Sequence, residues 1–234
     1  MIYVAGDMHG EHDRITSSKI KRLKKNDTLI VLGDFGFVWD GGEKEKKFLE
    51  YLGKRRYNVC FIDGTHENFD LLYQYPETIW NGGRVRRISG HCFYLCRGQV
   101  FEIEGKRIFT FGGGESADRD LRLDQEHISW WRQELPTAAE LEEGAHNVDE
   151  LGCELDIVLT HEPPSRIKSS LYMRLHRNER ISKLNGYFEE LNSCVEFKKW
   201  YFGSCHEDKV ITPRHTAVFK DVIALDEKEL RAGK

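Results

Sequence analysis

From Met1 to Ile62 the chain alternates short apolar, β-branched runs with charged stretches of helical character, and this alternation constrains the fold more than any other feature. Ile2 to Ala5, Thr28 to Leu32 and Asn58 to Ile62 read as strands, with Ile15 to Lys25 and Glu43 to Leu52 as helices between them. Strand, helix, strand, helix, strand implies parallel pairing with right-handed crossovers, because a right-twisted strand feeding a helix returns to its own sheet only that way. A chain of 234 residues buries roughly 70–75% of its unfolded surface, enough for one large α/β core. We therefore expect one domain over residues 1–234.

The pattern then changes. Val85 to Ile88, Phe93 to Leu95, Val100 to Ile103 and Arg107 to Phe111 are short runs separated by the turn signals Arg97-Gly98 and Glu104-Gly105, which predicts antiparallel hairpins. Helices are expected over Asp124 to Glu134, over Thr137 to Glu150 with Thr137 as cap, and over Ile181 to Cys194. Asp156 to Thr160 and Trp200 to Gly203 read as strands, and Val210 to Ile211 with Thr216 to Val218 as a closing hairpin.

Charge and composition exclude several classes. Lys and Arg number 35 against 39 Asp and Glu, a net of −4, so no stable nucleic-acid complex held by bulk charge is expected. No run of about 18 apolar residues can span a bilayer, so no membrane partner is expected. The chain opens on strand-like Met1-Ile2-Tyr3-Val4 rather than on a leader, which together predicts a cytoplasmic protein. The six cysteines are scattered, and Cys92 and Cys96 lack the second pair that a zinc site needs.

Chemistry-bearing residues collect where strands give way to loops, the place where an open α/β sheet presents ligand-binding groups. Gly6-Asp7-Met8-His9-Gly10 follows the first strand, Gly33-Asp34 the second, and Gly64-Thr65-His66-Glu67 the third. Thr160-His161 and Gly203-Ser204-Cys205-His206 follow two later strands. Any one of these short patterns occurs by chance, but carboxylates and imidazoles converging from successive strand ends are how a protein holds a divalent metal. Carboxylate oxygen suits Mn or Mg and imidazole suits Zn, Fe or Ni, so the mixed set leaves the metal open.

In this order and spacing the motifs resemble the calcineurin-like metallophosphoesterases, whose signature is Asp-X-His, Gly-Asp, Gly-Asn-His-Glu/Asp, a His after a strand, and Gly-His-X-His. Gly33-Asp34-Phe35-Gly36-Phe37-Val38-Trp39, Asp63-Gly64-Thr65-His66-Glu67-Asn68-Phe69-Asp70 and Trp200-Tyr201-Phe202-Gly203 are similar to small bacterial and phage-encoded members. The resemblance implies an α/β fold of the four-layer αββα type, two mixed β-sheets flanked by helices. It implies an enzyme that hydrolyses a phosphodiester or phosphomonoester by in-line attack of metal-bound hydroxide. One or two divalent ions, Mn first among Mn, Fe, Zn, Ni and Mg, would form a dinuclear site. Asp7, His9 and His206 would bind the first metal, Asp34 would bridge, and His161 would bind the second. His66 would be the catalytic acid, oriented by Glu67. The substrate would be a phosphorylated molecule: a nucleotide, an oligonucleotide or a phosphoprotein.

Two departures fall on one metal. Position 65 is Thr where the family has Asn, and position 204 is Ser where the family has His. The second site is thereby expected to bind weakly, to fill only with substrate phosphate, or to be absent, since a hydroxyl is a poorer donor than imidazole. Cys205 and Glu162 adjoin expected ligands, but neighbouring side chains diverge, so neither is expected to fill the gap. A competing reading stays open: a degenerate member, weak or inactive, kept as a binding or regulatory module.

Ser116, Asp118 and Arg119 follow the Gly112-Gly113-Gly114 turn and are candidate substrate contacts on a loop beside the metals. Arg166, Lys168, Arg174, Arg177, Arg180 and Lys183 form a basic segment that reads first as a solvated helix face, second as a border of the cleft. Asp34-Phe35-Gly36 lacks every other kinase motif, and the glycine triplet lacks the Gly-Lys-Ser/Thr of a phosphate loop.

Overall fold

The computed structural model describes residues 1–116, 125–178, 180–225 and 228. Strands β1 (Ile2–Ala5), β2 (Thr28–Leu32) and β3 (Asn58–Ile62) have the bounds that their apolar runs predict, and they pair in parallel. The first crossover carries two one-turn helices, α1 (His12–Ile15) and α2 (Ser18–Lys21), rather than one helix over Ile15 to Lys25. Thr16 and Ser17 divide them: the Thr16 hydroxyl donates to the His12 carbonyl, and Ser17 turns extended. The second crossover is α3 (Glu43–Gly53), which buries Leu49 and Leu52. After the short α4 (Phe69–Leu72) come β4 (Glu77–Trp80), β5 (Gly83–Ser89) and β6 (Cys92–Leu95).

The expected hairpins exist, but they belong to different sheets. β5 pairs antiparallel with β4 and β6, while β6 lies parallel to β3. The Arg97-Gly98 turn carries the chain into a second sheet that opens with the antiparallel pair β7 (Gln99–Ile103) and β8 (Lys106–Phe111). Residues 125–134 do not form the expected helix: Glu126 and Trp130 form a bridge across a turn, and a 3-10 turn, Arg132–Glu134, follows. Trp130 and Trp131 are both buried, and Trp131 has extended backbone (φ −132°, ψ 130°), which no helix accommodates.

Helix α5 (Ala138–Asp149) follows, then β9 (Ile157–Thr160), α6 (Ser165–Leu175), α7 (Lys183–Cys194) and β10 (Lys199–Phe202). The hairpin of β11 (Lys209–Val210) and β12 (His215–Ala217) forms as expected, and β13 (Val222–Ala224) returns to lie antiparallel to β1. The result is a seven-stranded sheet of order β13-β1-β2-β3-β6-β5-β4 and a six-stranded sheet of order β11-β12-β10-β9-β8-β7.

Side-chain alternation builds the layers. Along β2, Leu29 and Val31 join Ile15, Ile20, Leu49 and Leu52 under the first helices, while Ile30 and Leu32 meet Ile108, Ile157, Leu159 and Tyr201 of the other sheet. Val158, Trp200 and Phe202 face the opposite way and pack on Leu171, Leu184 and Phe188 of α6 and α7. Both faces of the central strands are covered, which is why they read as unbroken apolar runs. The architecture is the αββα sandwich. No helix among the described residues is long and apolar enough to cross a membrane.

Candidate metal centre

The carboxyl ends of β1, β2 and β3 in one sheet and of β9 and β10 in the other open onto one cleft. Their loops are laced by backbone hydrogen bonds. Met8 and His9 donate to the Asp34 carbonyl at 3.0 and 2.7 Å, and Gly203 and Ser204 donate to the His161 carbonyl, each at 3.1 Å. The space between the loops tolerates no side chain. A Cβ on Gly203 would stand 2.4 Å from Asp7 Oδ1, one on Gly64 would stand 2.1 Å from Asp34 Oδ1, and one on Gly33 would stand 2.0 Å from His161 Nδ1. His9, Asp34 and His206 all adopt left-handed backbone (φ 49°, 44° and 52°), an uphill conformation for non-glycine residues that persists where surrounding contacts impose it.

Asp7, His9, Asp34 and His206 each offer a ligand atom within 4.8 Å of the others. Asp7 is fully buried, and neither carboxylate oxygen has a hydrogen-bond donor among the described residues. Its nearest basic neighbours are imidazole nitrogens, His206 Nε2 at 3.0 Å from Oδ2 and His161 Nδ1 at 3.5 Å from Oδ1. His9 Nε2 and His206 Nε2 face each other at 3.2 Å. A buried carboxylate without donors and two imidazole nitrogens aimed at one point are a poor hydrogen-bond network and a good ligand set, so these four residues fit a divalent cation.

His161 is buried, and its Nδ1 lies 2.9 Å from the Leu32 carbonyl. A carbonyl only accepts, so Nδ1 carries the proton, and Nε2, 3.7 Å from Asp34 Oδ1, is left as a donor atom for a second cation. Burial lowers the basicity of this imidazole, but the charges of Asp34 and Asp7 outweigh it and raise the pKa well above its usual value. Burial also lowers that of His9, against the pull of the same two carboxylates, and here the net shift is downward. Asp34 is raised by burial and lowered further by His161, His66 and His9, so its carboxyl lies below the ordinary range.

Asp34 also organises the third loop. Oδ1 accepts from the Thr65 and His66 amides at 2.6 and 2.8 Å, and Oδ2 lies 3.0 Å from His66 Nδ1. Glu67, expected to orient His66, does something else. Its buried carboxylate accepts from the Phe35 and Gly36 amides at 2.6 and 3.3 Å and so holds the Asp34 loop. Of the two altered positions, Thr65 sets its hydroxyl 3.1 Å from His66 Nδ1, and Ser204 sets its own 3.8 Å from Cys205 Sγ. Burial pushes the Cys205 thiol up to about 12, and Glu162 gives Oε2 to Lys168 and Asn185, so neither is poised in its present arrangement to replace an imidazole.

A cavity of about 210 Å³ joins these groups, lined among others by Asp34, Thr65, His66, His161, Ser204 and His206. Ser116 reaches its wall, but both the amide and the hydroxyl of Ser116 donate to the buried carboxylate of Glu134. Asp118 and Arg119 lie outside the described residues. The basic segment divides. Arg166 is solvated, whereas Lys168 is buried, and both Lys168 and Arg180 line the cavity, Arg180 paired with Glu115 at 2.9 Å. Lys168 thus corrects the expectation of a solvated face, and the structure favours the cleft-border reading there.

Sequence reasoning missed Arg14, which donates to the carbonyls of Asp7 and Phe219 and packs over the Phe219 ring, itself stacked on His206 at 4.7 Å. It braces the first and last ligand loops together, and nothing local in the sequence marks it.

A family model for calcineurin-like phosphoesterases matches residues 1–203 of the chain. The match stops at Gly203, so the geometry described above is what joins His206 to the other ligands. No curated protein matches the sequence.

Proposed function

Because the chain belongs to the calcineurin-like phosphoesterase family, whose members are metal-dependent phosphoric ester hydrolases, we propose that it hydrolyses a phosphodiester or phosphomonoester with one firmly held divalent cation and a weak second one. The observation that carries this reading is the Asp7 carboxylate, buried without donors and surrounded by His9, Asp34 and His206. Bound divalent cations supply Lewis acidity at phosphorus and make a water molecule acidic enough to act as nucleophile near neutral pH.

The residues of the chain divide the remaining work. Asp7, His9, Asp34 and His206 hold the first cation, and Asp34 with His161 the second. Arg14 and Glu67 fix the loops on which Asp7 and Asp34 sit. His66 is half exposed and lines the cavity, with Nδ1 kept on Asp34. With Nδ1 donating to that carboxylate, Nε2 is the atom that, when it too carries a proton, delivers it to the departing oxygen. Thr65 and Ser204 offer the second cation only hydroxyls, one of them engaged by His66, and this supports a weak second site. Mn is the first metal to try, since the donor set mixes carboxylate and imidazole. Placement in the cytoplasm belongs to this reading; four buried free thiols, Cys60, Cys92, Cys96 and Cys205, fit a reducing compartment.

The test is hydrolysis of a chromogenic phosphate monoester and diester by chelator-stripped protein, titrated with Mn, Ni, Zn and Mg. Metal-dependent turnover is expected, falling at least a hundredfold in Asp34→Asn, in line with about 10²–10³ for loss of one charge-stabilising group. Folded protein that is inactive with every metal and with both esters would favour the binding-module reading instead.

A further inference from the structure

Lys168 stands on the wall of the cavity that holds Asp34, His66, His161 and His206. It lies in the first turn of α6, and its side chain is more than nine-tenths buried, where an unpaired ammonium would be costly. Nζ donates to Glu162 Oε2 at 2.7 Å and to Asn185 Oδ1 at 3.4 Å. Asn185 in turn grips Glu162 Oε2 at 2.9 Å and the Pro163 carbonyl at 2.8 Å, so the ammonium is fixed by a packed network. An ammonium has three donors, and these acceptors occupy two of them.

Phosphoryl transfer spreads negative charge over the non-bridging oxygens, and two cations ordinarily neutralise it. Here Thr65 and Ser204 thin the donor set of the second cation, while a preorganised point charge stands beside His161 through Glu162. We propose that Lys168 binds a non-bridging oxygen of the substrate phosphoryl group and supplies there the positive charge that the weakly held second cation does not. This rests on the phosphoesterase reading.

The experiment is calorimetric titration of inorganic phosphate into Mn-loaded full-length protein, with Mn content measured after dialysis. Wild type is expected to retain one Mn and bind phosphate. Lys168→Met should bind it at least about tenfold more weakly, the size of one lost charge-assisted contact, with Mn content unchanged, and Lys168→Arg should recover most of the loss. Since Lys168→Met strands Glu162, the double variant Glu162→Gln/Lys168→Met, which removes both charges, runs beside it and should show the same weakening. Unchanged phosphate affinity in either folded variant overturns the proposal, as would two Mn ions held at full occupancy by wild type. Mn-loaded wild type that binds no phosphate would instead remove the phosphoesterase reading.

Discussion

On the proposed reading, two hydroxyls, on Thr65 and Ser204, set the character of the second cation's site, because the neighbouring ligands are held in place without them. Asp34 is gripped by the Thr65 and His66 amides, and His161 by the Leu32 carbonyl, whatever the side chains at 65 and 204. Thr65→Asn combined with Ser204→His therefore adds two donors to a scaffold already in position. The double variant should retain two ions per chain after dialysis where wild type retains one, and its turnover should rise; metal content unchanged from wild type would show that positions 65 and 204 do not face the second cation. Most of the site was legible at this scale, since Asp7, Asp34, His66 and His206 each follow an apolar run at a short, glycine-marked interval and His161 follows its strand directly. Arg14 and Lys168 were not, because what defines them is a partner brought close by folding: Phe219, 205 residues from Arg14, and Asn185 on the next helix from Lys168.

Elements were legible where one local signal dominates. β1, β2 and β3 are covered on both faces, so uninterrupted apolar runs bounded by Gly or Asp mark their ends. α5 starts at the expected Thr137, whose hydroxyl and the Glu140 carboxylate close a capping box. β4 is an edge strand of alternating exposure, and β13 is three residues long; both owe their existence to neighbours already in the sheet, which no local pattern announces. β12 carries a pH-dependent term of its own. His215 Nδ1 accepts the Thr212 hydroxyl proton at 2.8 Å while Nε2 donates to Asn192 Oδ1 at 3.0 Å. Burial, aided by the charge of Arg214, pushes its pKa down to about 4. The unfolded chain takes up this proton near pH 6.5 and the folded chain does not, so the contribution is full above about 6.5 and is lost as pH falls toward 4. Urea midpoints should therefore decline over that interval in wild type and decline less in His215→Gln; equal slopes would dismiss His215 as the source.

At molecular scale a buried ion pair ties the end of β3 to the crossing between the two sheets. Arg97, at the crossing from β6 to β7, donates to Asp63 Oδ2 through Nε at 3.0 Å and Nη2 at 2.5 Å, and Tyr94 donates to Oδ1 at 3.0 Å. Both charged side chains are almost fully buried, and Gly113 at the end of β8 donates to the Asp63 carbonyl at 3.0 Å. Arg97→Met would leave Asp63 ionised and unpaired, and should cost about 3–5 kcal/mol in urea unfolding, against much less for Asp63→Asn/Arg97→Met. A loss below about 1 kcal/mol would mean that this ion pair adds nothing to the joining of the sheets. The same two-sheet construction has a consequence for timing. Asp7 emerges from the ribosome with the first strand and His206 only after the tenth, so no partly made chain that stops short of His206 owns the full set of four. Synthesis proceeds at about 5–20 residues per second, so the four residues come into being over many seconds. On the proposed reading, capture of an ion by these four residues is therefore one of the last events of maturation, after both sheets have closed on each other.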